Sequence, residues 1–292
     1  MIPSEIIRKV RKIDIVTSRK VSEGLSGGYH SIFKGRGVEF DEVRPYQPGD
    51  EIRFIDWNLM ARTGELFTKR FTEERELVVN LLVDVSGSLD IGRERAKREF
   101  TTEVAALLAY SAIANNDRVG LILFSDRVEK MVPPRRGRRH VMRLIRELLT
   151  FEPAHKGTNL AAAVEKLNQL RSRRSVTFLL SDFMGKRQPM VTPGRIAARR
   201  HDLIPIVIRD ELERTLPEAG LIHLVDAESG RTHWVDTSSR RIREEFTAAV
   251  QRDEQELDRL FADLRVSPVS LGSGDDPVLT LTRYFGQRKT RR

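Results

Sequence analysis

The sequence predicts an α/β fold built on a doubly wound, mostly parallel sheet. Two patterns in residues 76–292 carry this prediction: short continuous apolar runs, and longer stretches with apolar residues every three or four positions. The runs are typical of strands covered on both faces, and the stretches are typical of amphipathic helices. Because strands and helices alternate along the chain, a parallel or mostly parallel sheet is indicated.

The first strand of this part is predicted at residues 77–83, and a helix follows with Phe100, Val104 and Leu107 on one face. A second strand at residues 119–124 turns at Ser125-Asp126 into residues 128–132, which we expect to pair with it as an antiparallel hairpin. The remaining predictions are helices at 141–148 and 160–170, a short helix that ends with residues 196–200, strands at 176–180 and 203–208, a hairpin of 221–225 with 233–235, and a long helix at 242–264.

Residues 1–75 have a different character, because they are rich in turn-forming glycine and proline and poor in apolar residues. They begin with a predicted short basic helix around residues 6–13. We expect this extension to pack on the α/β domain rather than to fold alone. The predicted organisation is therefore an N-terminal extension over residues 1–75 and an α/β domain with a C-terminal helical segment over residues 76–292.

Composition excludes several classes of protein. The chain has 292 residues and no cysteine. A disulfide scaffold, a cysteine-ligated zinc site, an iron–sulfur cluster and a thiol nucleophile are therefore all excluded. The most apolar long stretch, residues 104–114, is too short to span a bilayer, and the first residues lack the apolar run of a signal peptide. We expect a cytoplasmic protein.

The positive charge is concentrated in one part of the sequence. Residues 131–210 contain 17 basic and 6 acidic residues, a net charge of +11 against +9 for the whole chain. The densest run holds Arg135, Arg136, Arg138 and Arg139, which we call the arginine loop. It is a candidate contact for nucleic acid or for an acidic protein surface. The alternative is a set of solvated cations at helix ends, which fits the other basic clusters well, and few aromatic residues accompany the charges.

Oxygen-bearing side chains follow the predicted strands at their carboxyl ends. Asp84, Ser86 and Ser88 come directly after the first strand, Thr158 precedes a helix, and Asp182 follows the strand at 176–180. In a sheet of strand order 3-2-1-4-5-6, Asp84 and Asp182 would lie side by side at the topological switch point, where such sheets bind ligands. Hydroxyl and carboxylate oxygens suit Mg²⁺ or Mn²⁺, with one position left for an outside acidic group. The alternative is structural, with Ser88 capping a helix and Asp84 satisfying loop amides.

Asp84-x-Ser86-x-Ser88 with Thr158 and Asp182 resembles the metal-ion-dependent adhesion site of von Willebrand factor A domains. The rest of the chain resembles the DUF58 family, through residues 35–44, the segment from Tyr46-x-Pro48-Gly49-Asp50 to Trp57-Asn58, residues 61–64 and 69–76, and several later motifs. The resemblance implies a von Willebrand factor A-like domain of bacterial type. It also implies a partnership with MoxR-type AAA+ ATPases in protein assembly or chaperone-like activity. Relatives with N-terminal membrane helices are known in the family, but this sequence shows no such helix.

Three functions follow as hypotheses. The first is a non-enzymatic binding module that uses a bound Mg²⁺ to hold an acidic group of a protein partner, an AAA+ ATPase or its client. The second is a metal-dependent phosphohydrolase at the same site, although no general base stands out. The third is nucleic-acid binding through the arginine loop. The charged segment of residues 50–76 is interpreted as an ion-paired strap on the α/β domain, with Trp57 and Arg62 as candidate partner anchors.

Overall fold

The computed structural model describes residues 39–72, 77–90, 97–170, 174–210, 213–226 and 230–290. The chain separates into two compact units. The small unit is described over residues 39–72, and the large unit from residue 78 onward. The short basic helix predicted around residues 6–13 lies outside the described residues.

The small unit is a two-stranded hairpin with one short helix. Strands β1 (Glu39–Pro45) and β2 (Phe67–Thr72) pair antiparallel, and helix α1 (Trp57–Thr63) lies between them in sequence. Asp56 caps α1, because its side chain accepts hydrogen bonds from the backbone amides of Asn58 and Leu59, both at 3.1 Å. This hairpin was not predicted, since charged residues interrupt the apolar alternation of its strands.

The predicted α/β fold is confirmed in the large unit. Its described strands form a six-stranded sheet in the order β10-β7-β6-β3-β4-β5, in which only β5 runs antiparallel to its neighbour. Counted within this unit, the order is 3-2-1-4-5-6, the order assumed above when Asp84 and Asp182 were placed side by side. The strands are β3 (Val78–Asp84), β4 (Arg118–Phe124), β5 (Val128–Arg135), β6 (Val176–Ser181), β7 (Asp202–Arg209) and β10 (Val269–Gly272).

Helices cover both faces of this sheet. They are α2 (Lys97–Ala114), α3 (Arg138–Thr150), α4 (Leu160–Gln169), α5 (Val191–Arg200), α6 (Arg240–Leu264) and α7 (Pro277–Thr290). One buried cluster joins Leu82 and Leu179 of the sheet to α4, α5 and α6. Phe178 points to the other face, where its ring meets that of Phe285 in α7 with 6.4 Å between centroids. Helix α2 is buried on nearly all sides, as expected of a helix that is apolar all round.

The C-terminal part holds two predicted and two unpredicted features, and α6 confirms the long helix predicted at 242–264. The hairpin of β8 (Leu221–Val225) and β9 (Thr232–Asp236) is confirmed, and Trp234 on it is 68% exposed. Strand β10 and helix α7 were missed, because β10 has only four residues and α7 has a weak apolar face. No helix among the described residues is long and apolar enough to cross a membrane.

The close packing of β4 against β5 gives a first prediction. A Cβ on Gly120 would lie 2.9 Å from Cγ of Pro134 and 3.2 Å from Oδ1 of Asn80. Because the proline ring is closed onto its own backbone, it cannot swing away. We expect Gly120→Ala to lower the free energy of unfolding by about 1–3 kcal/mol, measured by urea unfolding. Gly286→Ala is the control, since its Cβ would meet nothing within 4 Å; equal losses in both variants would contradict the prediction.

Candidate metal centre

The end of β3 supplies the first three predicted side chains. Asp84 and Ser86 are each 1% exposed, and Oδ1 of Asp84 accepts a hydrogen bond from the backbone amide of Ser86 at 2.9 Å. The hydroxyl oxygens of Ser86 and Ser88 lie 3.0 Å apart. The chain after the strand therefore folds back on Asp84 and places a carboxylate and two hydroxyls together.

Strand β6 brings the second carboxylate beside the first. Ser181, its last residue, donates its hydroxyl to Oδ2 of Asp84 at 2.6 Å and accepts from the amide of Phe183 at 3.0 Å. Asp182 is fully buried, and its Oδ1 accepts from the amide of Met184 at 3.1 Å. The predicted meeting of Asp84 and Asp182 at the switch point is therefore found, because β3 and β6 are parallel neighbours.

The loop that carries Thr158 approaches the same place. Two residues before Thr158, the backbone carbonyl oxygen of Lys156 accepts a hydrogen bond from the amide of Gly87 at 3.0 Å. On its other side, a Cβ added to Gly185 would lie 3.0 Å from the carbonyl oxygen of Thr158. Thr158 thus sits on a loop that contacts both carboxylate-bearing segments. Asn159 follows it and caps α4 by accepting from the amide of Ala162 at 3.2 Å.

Sequence reasoning missed a buried cation at this site. The side chain of Lys97 is fully buried, and its ammonium lies 3.0 Å from Oδ2 of Asp182 and also contacts Glu213. Glu213 is held in turn, because its Oε2 accepts from the amide of Asp210 at 3.1 Å. One signal was available: Lys97 stands three and seven positions before Phe100 and Val104, which places it on a buried face of α2.

The two carboxylates are in different electrostatic situations. Burial, together with the negative charge of Asp182, raises the pKa of Asp84 to about 7, although the hydroxyls of Ser181 and Ser86 act in the opposite direction. Burial alone would lower the pKa of Lys97, but the charges of Asp182 and Glu213 outweigh it and the net shift is upward. Asp182 therefore has a cation at hydrogen-bond distance, which it shares with Glu213, whereas Asp84 is a buried carboxylate whose contacts in the described structure include no cation.

This donor set fits a small hard cation. Among the described residues, no group of three or more histidine, cysteine, aspartate or glutamate side chains could hold a metal ion. A metal here would rely on hydroxyl oxygens beside the carboxylates, which is chemistry that suits Mg²⁺ or Mn²⁺. A cation bound at Asp84 would also compensate the buried negative charge of this carboxylate, which otherwise costs free energy. The metal itself stays a prediction.

The other candidate residues lie elsewhere. Arg135 pairs with Val119 at the beginning of β4, whereas Asp84 pairs with Phe124 at its end. The arginine loop is therefore at the opposite end of the sheet from Asp84, and it forms no common site with it. It stands before and in the first turn of α3, not at a helix C-terminus.

Trp57 and Arg62 lie on α1 of the small unit, where Trp57 is 57% exposed. In the segment predicted to be a strap, the ion pairs seen within the small unit include Arg44 with Asp50 at 2.6 Å and Lys69 with Asp56 at 3.3 Å. These pairs fasten the segment to its own hairpin. The proposed roles of Trp57 and Arg62 in partner binding stay predictions.

A scan against family models matches residues 42–256 to DUF58, described as a protein of unknown function. The chain belongs to the DUF58 family. An uncharacterized protein of Mycobacterium tuberculosis, Rv1480, is 30% identical over 285 residues, which cover 96% of this DUF58 chain and 89% of the relative. The uncharacterized protein YeaD of Bacillus subtilis is 29% identical over 133 residues, or 46% of this chain and 31% of YeaD.

Solved structures similar to this DUF58 protein are more distant. The conserved hypothetical protein BatB from Bacteroides thetaiotaomicron has a TM-score of 0.48 at 14% identity, over 73% of this chain and 99% of BatB. A von Willebrand factor type A protein from Catenulispora acidiphila has a TM-score of 0.37 at 12% identity, over 76% of this chain and 44% of that protein.

Proposed function

We propose that this DUF58 protein is a metal-dependent protein-binding module without catalytic activity of its own. The observation that carries the proposal is Asp84: a buried carboxylate with a raised pKa, surrounded by hydroxyls, at the switch point of the sheet. Asp84, Ser86, Ser88 and Thr158 would hold Mg²⁺, or Mn²⁺ in its place. Asp182, already paired with Lys97, would act on the ion through water.

Mg²⁺, when bound, would supply a Lewis-acidic position that an outside carboxylate can occupy. The side chains of Ser88 and Thr158 are partly exposed, in contrast to Asp84 and Ser86. The polar donors therefore run from a buried carboxylate towards the surface, which is the arrangement that lets an aspartate or glutamate of a partner complete the shell. The module would bind an acidic side chain of another protein.

The resemblance of the sequence to DUF58 proteins associated with MoxR-type AAA+ ATPases suggests the partner. We propose that such an ATPase, or its client, supplies the acidic group, and that the pair acts in the cytoplasm in protein assembly or chaperone-like activity. The exposed indole of Trp57 would be a second contact for that partner on the small unit.

Affinity capture tests the proposal directly. Wild type, Asp84→Ala and the control Asp263→Ala are immobilised and incubated with the MoxR-type ATPase of the source cell, and with its lysate, in Mg²⁺ or in EDTA. Asp263 is an exposed carboxylate on α6, so its loss changes net charge without touching the site. We expect capture by wild type and Asp263→Ala in Mg²⁺ only, and none by Asp84→Ala. Capture that survives both EDTA and Asp84→Ala would refute a metal-bridged interface.

A further inference from the structure

Lys97 lies in the metal centre, but the proposed chemistry of that centre gives it no role. Its ammonium is fully buried and bonded to two carboxylates, Asp182 and Glu213. A lysine is almost never fully buried unless it is paired, so this side chain has a defined electrostatic task. The task concerns Asp182, the carboxylate that stands beside Asp84.

Both oxygens of Asp182 accept hydrogen bonds from partners outside the hydroxyl cluster of Ser86 and Ser88. Oδ2 meets Lys97 at 3.0 Å, and Oδ1 accepts from the amide of Met184 at 3.1 Å. The backbone around it is fastened as well, because Arg209 donates to the carbonyl oxygen of Asp182 at 2.8 Å. Asp182 is therefore held in place and turned towards the ammonium.

The lysine is itself anchored from the far side. Glu213 accepts from the amide of Asp210 at 3.1 Å, and Asp210 accepts from the hydroxyl of Ser273 at 2.8 Å. This chain of contacts connects Lys97 to the end of β7 and to the turn after β10. The ammonium consequently has little freedom to leave Asp182 when another cation arrives.

Lys97 changes the net charge that a divalent ion meets at this site. Asp84, Asp182 and Glu213 carry three negative charges when all are ionised, so without Lys97 a divalent ion would meet a cluster of net charge −3. With Lys97 in place, the net charge of the cluster is −2, which a divalent ion only just neutralises. This smaller negative charge weakens binding of the ion alone and lowers the repulsion on an anionic ligand that binds together with it.

We propose that Lys97 is an internal cation that keeps the divalent ion weakly held until an acidic partner group binds with it. This inference rests on the proposed metal-dependent function. It names Lys97 as a positioning residue for Asp182 and as the source of the coupling between the metal and the partner carboxylate.

Mn²⁺ binding to the full chain, followed by the EPR signal of the free ion, tests the proposal. We expect Lys97→Met to bind Mn²⁺ more tightly by about tenfold or more, because a like charge leaves the site and Asp182 is freed. Glu213→Gln is the matched variant, and we expect weaker binding, because it removes a negative charge and leaves the ammonium less neutralised. If the substitutions only loosened the site, the Mn²⁺ affinity of both variants would change in the same direction. That result would overturn the proposal.

Stability gives a second readout. Lys97→Met leaves the buried Asp182 without its cation, so we expect a lower melting temperature in EDTA and a larger upward shift on adding Mn²⁺ than in wild type. Should Lys97→Met not fold, the double variant Lys97→Met with Asp182→Asn removes both charges together. Its Mn²⁺ affinity is expected to match wild type within about threefold, since a neutralised pair is replaced by neutral groups. Loss of Mn²⁺ binding in the double variant would make Asp182 a direct ligand and refute the role given to Lys97.

Asp84→Ala separates this inference from the function on which it rests. If Asp84→Ala binds Mn²⁺ as well as wild type does, the proposed metal centre is wrong. If Asp84→Ala abolishes binding while Lys97→Met and Glu213→Gln leave the affinity unchanged, the metal centre stands and the inference about Lys97 fails.

Discussion

Asp182→Ala is expected to lower the free energy of unfolding of the metal-free protein by about 3–5 kcal/mol, the cost of breaking a buried ion pair by removing one partner. The substitution leaves the Lys97 ammonium in a fully buried position with Glu213 as its remaining carboxylate contact. The buried charge is then only partly compensated. Urea unfolding in EDTA at pH 8 measures the loss.

Asp84→Asn is the informative comparison, because Asp84, unlike Asp182, has no cation among its described contacts. The amide keeps an oxygen for the backbone N–H of Ser86 and removes a negative charge from a buried place. We therefore expect the metal-free variant to be as stable as wild type or more stable at pH 8. Similar losses for Asp84→Asn and Asp182→Ala would show that the two carboxylates are not electrostatically different, against the arrangement described here.

The contribution of Asp84 to the stability of the metal-free protein is expected to rise as the pH falls from 8 to 5. In the folded state the pKa of Asp84 is raised from its ordinary value of 3.8 to about 7. A raised pKa means that the folded state binds the proton more tightly than the unfolded state does, so the stabilisation is complete below the unfolded value and is lost as the pH rises through about 7. The slope from this one group is at most about 1.4 kcal/mol per pH unit.

Urea unfolding at several pH values in EDTA measures this slope, with Asp84→Asn as the control that should remove the contribution. Saturating Mg²⁺ should also flatten the slope, because a bound cation favours the carboxylate over the carboxylic acid. A wild-type slope equal to that of Asp84→Asn would refute the assignment to Asp84.

Local patterns predicted the architecture well, since each decisive strand is a continuous apolar run with a polar residue at its end. The run before Asp84 and the run before Asp182 needed only the rule for doubly wound sheets to be placed side by side, and that placement is confirmed. Local patterns failed where structure depends on contacts distant in sequence. Strand β10 is too short to show a period, and it exists because β7 pairs with it.

The candidate site was predicted in part for the same reason. Asp84, Ser86 and Ser88 share one loop, so their proximity follows from the sequence alone. The pairing of Lys97 with Asp182 and Glu213 spans 85 and 116 residues. Periodicity could place Lys97 on a buried face of its helix, but which carboxylate it meets is decided by how helix and sheet pack.

The prolines of β5 have a consequence for how partners can bind. An outermost strand normally presents free backbone groups on which a foreign strand can add. On this sheet one border strand carries Pro133 and Pro134, which lack an N–H, and the other, β10, has only four residues. Both borders are therefore poor templates for β-augmentation and for edge-to-edge aggregation. In the proposed function, a partner would therefore be recognised by side chains on the loops rather than by backbone pairing with the sheet.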